Sequence, residues 1–179
     1  MRFEDVLSNG TLWATVYDGE KENVLTQLFT NWLDPLYLRK FFTENIRDLE
    51  SYFKITNVDS AVFDTFQDAT SLACLILDLN PEVELDSLFR PLENSRIGEM
   101  VLSREKAKGK PLSNHSLWLR LYAIRVEENV FLITGGAIKL TRTMREREHT
   151  LKELNRMEQV RNYLINEGVV DLEGLKETN

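Results

Sequence analysis

The spacing of apolar residues divides the chain into a β-rich start, a helical middle and a β-rich stretch that ends in a helix. Two apolar segments at 3–7 and 12–17 flank Ser8-Asn9-Gly10. Asn-Gly is a strong turn signal, so this pattern predicts an N-terminal hairpin. Apolar residues then recur at helical spacing over 22–33 and 36–52, which predicts two helices.

Residues that cap or break helices separate these segments. Asp34-Pro35 divides the first two helices, because Asp is a good cap and Pro suits a first helical turn. Asn57 or Asp59 is predicted to cap a longer helix that reaches residue 79 and stops at Asn80-Pro81. Residues 85–92 are then expected to form a short helix or turn.

The pattern changes near Gly98. Residues 100–102 are predicted to form a short strand, and 104–111 a basic, exposed loop or ribbon. Residues 117–127 alternate in polarity, which predicts a strand that turns at Glu128-Asn129 into a second strand at 130–134. Gly135-Gly136 indicates a bend or bulge where backbones approach closely, and 137–140 are expected to continue the sheet.

The last predicted element is a helix over 149–166 with Gly168 as its C-terminal cap. The tail from Val169 is expected to be short and loosely held. The apolar residues predicted to face the sheet from this helix are Leu151, Leu154, Met157, Val160 and Leu164.

These elements predict an α+β fold with a helical N-terminal half, a small antiparallel sheet and a C-terminal helix packed on it. A mostly helical, acidic region with its hairpin covers 1–98, and a basic region of sheet plus helix covers 99–179. We expect the two regions to form one continuous domain, in which the acidic helices cover part of the sheet.

Composition places the chain among ordinary globular proteins, with 42% hydrophobic and 28% charged residues. No stretch approaches 18 consecutive apolar residues, so no membrane helix is expected. Acids near the N-terminus stand where a signal peptide would be apolar. Cys74, the only cysteine, lies in an apolar stretch and is predicted to be a buried thiol. These features predict a cytoplasmic protein.

Charge is unevenly distributed along the chain. The net charge is −7 overall, but residues 1–100 carry −10 and residues 101–165 carry +6. A basic segment in an acidic chain indicates an anionic partner for that segment.

The basic residues of this segment are predicted to gather near Tyr122, although alternation places Arg125 at the end of the opposite face of its strand. Alternation along the strand at 118–126 places Arg120 beside Tyr122, and more basic residues follow the glycine pair. Arginine forks pair with phosphate oxygens and an aromatic ring can stack on a base, so a phosphodiester would suit such a cleft. The cationic residues expected to gather around Tyr122 are Arg120, Arg125, Lys139, Arg142 and Arg145. The alternative is that each arginine is solvated or paired with an acid of the first 100 residues.

Other chemistries find little support in the sequence. His115 and His149 have no partners at metal spacing, and one cysteine cannot complete a zinc site. Phosphate-binding glycine loops and the Gly-x-Ser-x-Gly elbow are both absent. No metal or cofactor is therefore expected. His149 is predicted to cap a helix, with a general acid or base role as the open alternative.

Residues 119–125 and 130–143, followed by a helix, resemble the C-terminal half of RelE/HigB-like toxins. Those proteins have a strand that ends in Arg, a hairpin, a strand that leads into a segment rich in Lys and Thr, and then a helix. The corresponding segment here is Ile138-Lys139-Leu140-Thr141-Arg142-Thr143. Leu140 stands where the family has a second lysine, and the first 100 residues lie outside the resemblance.

This resemblance implies the toxin component of a toxin-antitoxin system, an endoribonuclease that cleaves mRNA, often on the ribosome, and is inhibited by an antitoxin protein. The ribose 2′-hydroxyl is the nucleophile, and the protein orients the backbone, neutralises phosphate charge and moves protons. The alternative is a non-catalytic protein-binding module on a RelE-like scaffold; the sequence does not indicate an oligomeric state. The residues expected to hold phosphate are Arg120, Arg125, Lys139 and Arg142, with Tyr122 stacking or relaying a proton. Additional RNA contacts are expected from Lys106, Lys108 and Arg145.

Overall fold

The computed structural model of the chain describes residues 1–77, 85–92, 102–107 and 117–178. The strands are β1 (Arg2–Asp5), β2 (Leu12–Val16), β3 (Phe89–Pro91), β4 (Ser103–Ala107), β5 (Leu119–Glu127) and β6 (Val130–Ile138). The helices are α1 (Val24–Trp32), α2 (Pro35–Glu44), α3 (Ile46–Asp48), α4 (Val58–Leu77), α5 (Glu148–Asn166) and α6 (Leu172–Glu177).

All six strands belong to one sheet with the order β1-β2-β6-β5-β4-β3. The predicted N-terminal hairpin is confirmed as the antiparallel pair β1–β2, and the predicted hairpin of the basic region as β5–β6. The predicted α+β class is also confirmed. The sheet differs in one respect from the expected antiparallel one, because β2 runs parallel to β6 over Leu12–Ala14.

Helices cover both faces of this sheet. The three long N-terminal helices, α1, α2 and α4, pack on one face around a core that includes Trp32, Phe42 and Trp118. Helices α5 and α6 pack on the other face around Met157, Val160 and neighbouring residues. The central strand β6 is buried at every position, as is typical of a strand covered on both faces.

Local capping explains where the N-terminal helices begin. The Asp34 carboxylate accepts the backbone N–H of Leu36, and Pro35 opens α2 as predicted. Asn57 accepts the N–H of Asp59 at 2.9 Å, so Asn57 is the cap of α4. The single helix predicted over 36–52 is wrong, because α2 ends at Glu44 and a wider π-type turn, Leu49–Phe53, follows α3.

Two predictions around the first part of the basic region are corrected. Residues 85–92 are not all helix or turn, since a single helical turn, Leu85–Ser87, leads into β3. Residues 104–107 of the segment predicted to be an exposed loop or ribbon belong to β4, which pairs with β3 and β5. The ribbon alternative agrees with this strand, but the predicted exposure is wrong, because Glu105 and Ala107 are buried. Leu102 lies just before β4 rather than in a strand. The rest of the strand predicted at 100–102, the remainder of 104–111 and the helix stop at Asn80-Pro81 lie outside the described residues.

The C-terminal helix matches its prediction except at one end. Gly168 follows α5 with a φ of +73°, a backbone conformation that favours glycine, so the predicted cap is confirmed. Met157 and Leu164 face the sheet as predicted, but Leu151 is 37% exposed. Thr150 and Glu153 occupy the inward positions in its turn.

Two further predictions are wrong for reasons of packing. The tail is not loose: Val169 is buried, and Leu175 of α6 is fully buried in the core beneath α5. Cys74 is exposed, because the inward stripe of α4 runs through Leu72 and Ile76 and leaves Cys74 on the outer side.

Candidate functional site

A cavity of about 510 Å³ opens beside α5, above the part of the sheet formed by β4 and β5. We call this cavity and its lining the basic cleft. All six charged residues described in its lining are basic: Arg104, Lys106, Arg120, Lys139, Arg142 and Arg145. The remaining lining residues are Leu92, Tyr122, Thr143, Met144 and Leu154.

Strand geometry explains why these residues converge. Alternation along β5 places Arg120 and Tyr122 on one face, and the register places Lys106 of β4 directly beside Tyr122. β6 ends at Ile138, and the loop that leads to α5 brings Lys139 and Arg142 to the same cavity. Most of the predicted residues therefore meet in one place, and their roles stay predictions.

Arg120 is the half-buried cation of the cleft. Its Nη1 donates to the carbonyl of Leu119 at 2.6 Å, and none of the described acids forms an ion pair with it. Burial lowers the pKa of Arg120, and burial with the nearby Arg120 charge lowers the pKa of Lys106. Two cations held together away from water favour the binding of an anion between them.

Lys139 shapes the loop. Its Nζ donates to the carbonyls of Thr141 and Arg142, both at 2.6 Å. The hydroxyl of Thr141 donates to the carbonyl of Thr143 at 2.9 Å. These bonds curl the loop and place the exposed Arg142 side chain at the cleft, so Lys139 has a structural task in addition to its charge.

Glu146 and Arg147, near the end of the loop, contact residues outside the cleft. Glu146 accepts the N–H of Thr143 at 2.5 Å and the hydroxyl of Tyr52 at 3.0 Å, and the Thr143 bond holds the Glu146 pKa below its usual value. Arg147 pairs with Asp48 through two contacts of 2.5 and 2.6 Å. Of the charged residues of this loop, the basic Lys139, Arg142 and Arg145 therefore line the cleft, whereas Glu146 and Arg147 do not.

Tyr122 forms part of the cleft wall. It is 1% exposed, and its hydroxyl has no hydrogen-bond partner among the described residues. The ring therefore has no open face on which a base could stack, which removes one of the two predicted roles. Burial raises the pKa of the hydroxyl, which keeps it protonated and able to donate. A buried hydroxyl without a partner costs roughly 1–3 kcal/mol, and a phosphate oxygen would supply that partner only when the side chains that cover the hydroxyl move aside.

Arg125 does not reach the basic cleft. It lies on the opposite face of β5, where Nη1 contacts the Asp86 carboxylate at 2.9 Å and the guanidinium lies 5.8 Å from the centre of the Phe131 ring. Asp86 also accepts the N–H of Asn129 at 2.9 Å. For Arg125 the ion-pairing alternative is therefore the one observed, and it joins the β5–β6 turn to the segment before β3.

The other candidates are distributed as follows. Lys108 and His115 lie outside the described residues. His149 does not cap α5; its Nε2 lies 3.1 Å from the carbonyl of Ile138 and its ring contacts Phe41 edge to face at 5.3 Å. His149 is not among the lining residues of the basic cleft. In the part of the chain that the structure describes, no group of three or more His, Cys, Asp or Glu could hold a metal ion.

Arg104 is the cleft residue that sequence reasoning missed. It lies two positions before Lys106 on β4, and its Nη1 contacts Glu158 of α5 at 3.3 Å. The signal was the period of two between Arg104 and Lys106, which has meaning only once this segment is identified as a strand.

Comparisons with protein-family models, curated proteins and solved structures gave no significant match. None of the described helices is long and apolar enough to span a membrane.

Proposed function

We propose that the basic cleft binds the phosphodiester backbone of RNA and cleaves it, which would make the protein an mRNA endoribonuclease of the RelE-like toxin type. The observation that carries this proposal is the lining itself. Among the described residues, six basic side chains and no acid line the cavity together with Tyr122, whose buried hydroxyl has no described partner. Phosphate is the anion that forked arginines and an ammonium group recognise best.

The proposed chemistry needs little covalent work from the protein. The ribose 2′-hydroxyl gives its proton to water as its oxygen attacks the adjacent phosphorus, the bond to the 5′-oxygen breaks, and a 2′,3′-cyclic phosphate forms while the leaving oxygen takes up a proton from water. Arg120 neutralises the charge that develops on the phosphoryl oxygens, and the exposed Arg142 holds a phosphate of the bound RNA. Tyr122, kept protonated by its burial, donates a hydrogen bond to one of these oxygens. Lys139 holds the loop that carries Arg142.

The order of elements gives the proposal its second support. β5, the hairpin turn, β6, the Lys139–Thr143 loop and α5 follow the order that the resemblance to RelE/HigB-like toxins implies. A cytoplasmic location, an mRNA or ribosomal substrate and an inhibitory antitoxin protein belong to this proposal.

One observation favours a second candidate, a protein-binding module without catalysis. The described lining contains no His, Asp or Glu, the side chains that most often move protons in catalysis. Two of the donor hydrogens of Lys139 are engaged by loop carbonyls. A cleft of this kind would bind an acidic segment of another protein and leave it intact.

Purified full-length protein incubated with end-labelled single-stranded RNA, with and without ribosomes, separates the two candidates. We expect binding, cleavage and growth arrest on induced expression, all weakened by Arg120→Ala. Arg39→Ala is the matched control, because it removes the same charge from an exposed ion pair with Asp59 on the helical side. RNA binding without cleavage would contradict the nuclease. If the wild type neither binds nor cleaves RNA and is harmless when expressed, the RNA proposal is wrong and the protein-binding module remains.

A further inference from the structure

Glu153 of α5 is a charged residue in a buried position that the proposed chemistry does not use. It is 7% exposed and faces β6. Its Oε2 accepts the backbone N–H of Gly136 at 3.2 Å, and its Oε1 contacts Nη1 of Arg156 at 3.1 Å. Burying a carboxylate is unfavourable unless it is paired, so its presence on the apolar side of α5 calls for a specific role.

The glycine pair of β6 is shaped around this carboxylate. A Cβ built on Gly135 would overlap Oε2 of Glu153. A Cβ on Gly136 would lie 2.8 Å from the carbonyl oxygen of Arg120 and 2.9 Å from the Trp32 ring. Glycine is therefore required at Gly136 for strand β5 and helix α1 to approach β6, whereas a side chain at Gly135 would displace the Glu153 carboxylate.

Glu153 binds the backbone of β6 just beyond the end of its pairing with β2. β2 pairs with β6 only over Phe131–Ile133, and side chains bind the next backbone groups on that edge. The Tyr17 hydroxyl donates to the carbonyl of Thr134 at 2.6 Å, and Glu153 accepts the N–H of Gly136. Buried backbone groups need such partners, so Glu153 substitutes for a missing strand.

The opposite edge of this segment of β6 supports the basic cleft. Gly135 pairs in register with Tyr122, and Ala137 pairs with Arg120. A shift of β6 at the glycines would move the two β5 residues that form the floor of the cleft. Burial raises the pKa of Glu153, because the carboxylate is surrounded by protein groups instead of by water.

We infer that Glu153 is a positioning residue for the basic cleft: by clamping Gly135-Gly136 it fixes β6, and through β6 the placement of Arg120 and Tyr122. The inference rests on the proposed RNA function. It assigns to Glu153 no contact with substrate. It requires an oxygen acceptor at this position and does not require the negative charge.

Two substitutions of Glu153 test whether a hydrogen-bond acceptor is required at this position. Glu153→Gln keeps an oxygen that can accept the Gly136 N–H, whereas Glu153→Ala removes it. Glu167→Ala, at the exposed C-terminal end of α5, is the control for loss of a negative charge from the same helix. A fourth variant, Gly135→Ala combined with Glu153→Ala, removes the steric overlap and the clamp together.

Four quantities are measured on the full-length protein: melting temperature, hydrogen exchange at the Gly136 amide, and the affinity and cleavage rate for one single-stranded RNA. We expect Glu153→Ala to accelerate exchange at Gly136 and to weaken RNA binding or cleavage by about 10-fold, the effect of losing one buried hydrogen bond. Glu153→Gln should stay within about twofold of the wild type, as should Glu167→Ala. The double variant should melt above Gly135→Ala alone and still lose RNA activity.

The outcomes separate this inference from the proposed function. Unchanged exchange at Gly136 in Glu153→Ala would overturn the clamp, whatever the protein does with RNA. Faster exchange with unchanged RNA activity would overturn the positioning role and leave the proposed function intact. Loss of RNA activity in Glu153→Gln equal to that in Glu153→Ala would show that the charge matters and not the clamp. A wild type without RNA activity removes the proposed function and the positioning role together, while the exchange result still decides whether the clamp exists.

Discussion

Arg120 and Arg125 lie five residues apart on the same strand, yet they face different environments. Arg125 lies on the face covered by the N-terminal helices, where Asp86 pairs with it beneath the β5–β6 turn. Arg120 lies on the face of α5, where it lines a cavity whose described charged residues are all basic. Arg125 therefore stabilises the fold on one face of the sheet, whereas Arg120 is available to a ligand on the other face.

The two faces differ because their helices cover different strands. On the first face, α1 packs on β2 and β6, α4 packs on β5, and α2 packs against α1 and α4. On the second face α5 packs mainly along β6, and the β4–β5 side beside it forms the basic cleft. A cluster of charges in the sequence indicates a site only where the packing of the helices leaves room for one.

The largest effect is expected from Arg120→Ala. It removes a half-buried guanidinium that we expect to contact phosphate, so cleavage should slow by about 10²–10³-fold. The melting temperature should change little, since no described acid pairs with Arg120. RNA-cleavage assays and thermal melting on the same preparation test this prediction. If Arg120→Ala lowered the melting temperature together with the activity, Arg120 would be a structural residue like Arg125.

Tyr122→Phe should have a smaller effect on activity and none on stability. The lost hydroxyl is expected to donate to a phosphate oxygen, a bond of about 1.5–3 kcal/mol that corresponds to roughly 10–100-fold in rate. Because that hydroxyl has no described partner in the free protein, the melting temperature should stay constant or rise. Normal cleavage by Tyr122→Phe would remove Tyr122 from the mechanism.

Arg125→Ala should show the opposite behaviour. The variant leaves Asp86 without its cation, which we expect to cost roughly 1.5–3 kcal/mol and to lower the melting temperature by about 3–10 °C. Below that transition, RNA affinity should equal that of the wild type, because Arg125 does not line the cleft. A specific loss of RNA affinity without destabilisation would contradict the division between the two faces.

The smallest effect concerns Arg142→Ala. Arg142 is exposed, so its removal should leave stability unchanged and delete a single phosphate contact. The slope of log affinity against log salt concentration should then fall by about 0.7, the value for one contact to single-stranded nucleic acid. Titrations at several salt concentrations measure this slope. Arg39→Ala should leave it unaltered.

The sequence by itself determined the local elements of this protein. Asp34-Pro35, Asn57 and Gly168 indicated helix ends correctly, because caps depend on short-range hydrogen bonds and on backbone conformation. Alternation along β5 correctly placed Arg120 and Tyr122 on one face. The placement of most of the candidate cleft was therefore within reach of sequence reasoning, while its function stays a proposal.

Only the tertiary structure decided which long-range partners those elements would meet. β2 lies parallel to β6 across more than a hundred residues of chain, and no local pattern specifies such a pairing. Arg125 pairs with Asp86 and so does not belong to the basic cleft, where it was predicted. Cys74 is exposed because it lies on the outward side of α4, and Gly135-Gly136 lies against the carboxylate of Glu153. Each of these outcomes depends on which elements pack against each other and through which face. A periodic sequence pattern shows only that an element has an apolar face, not what covers that face.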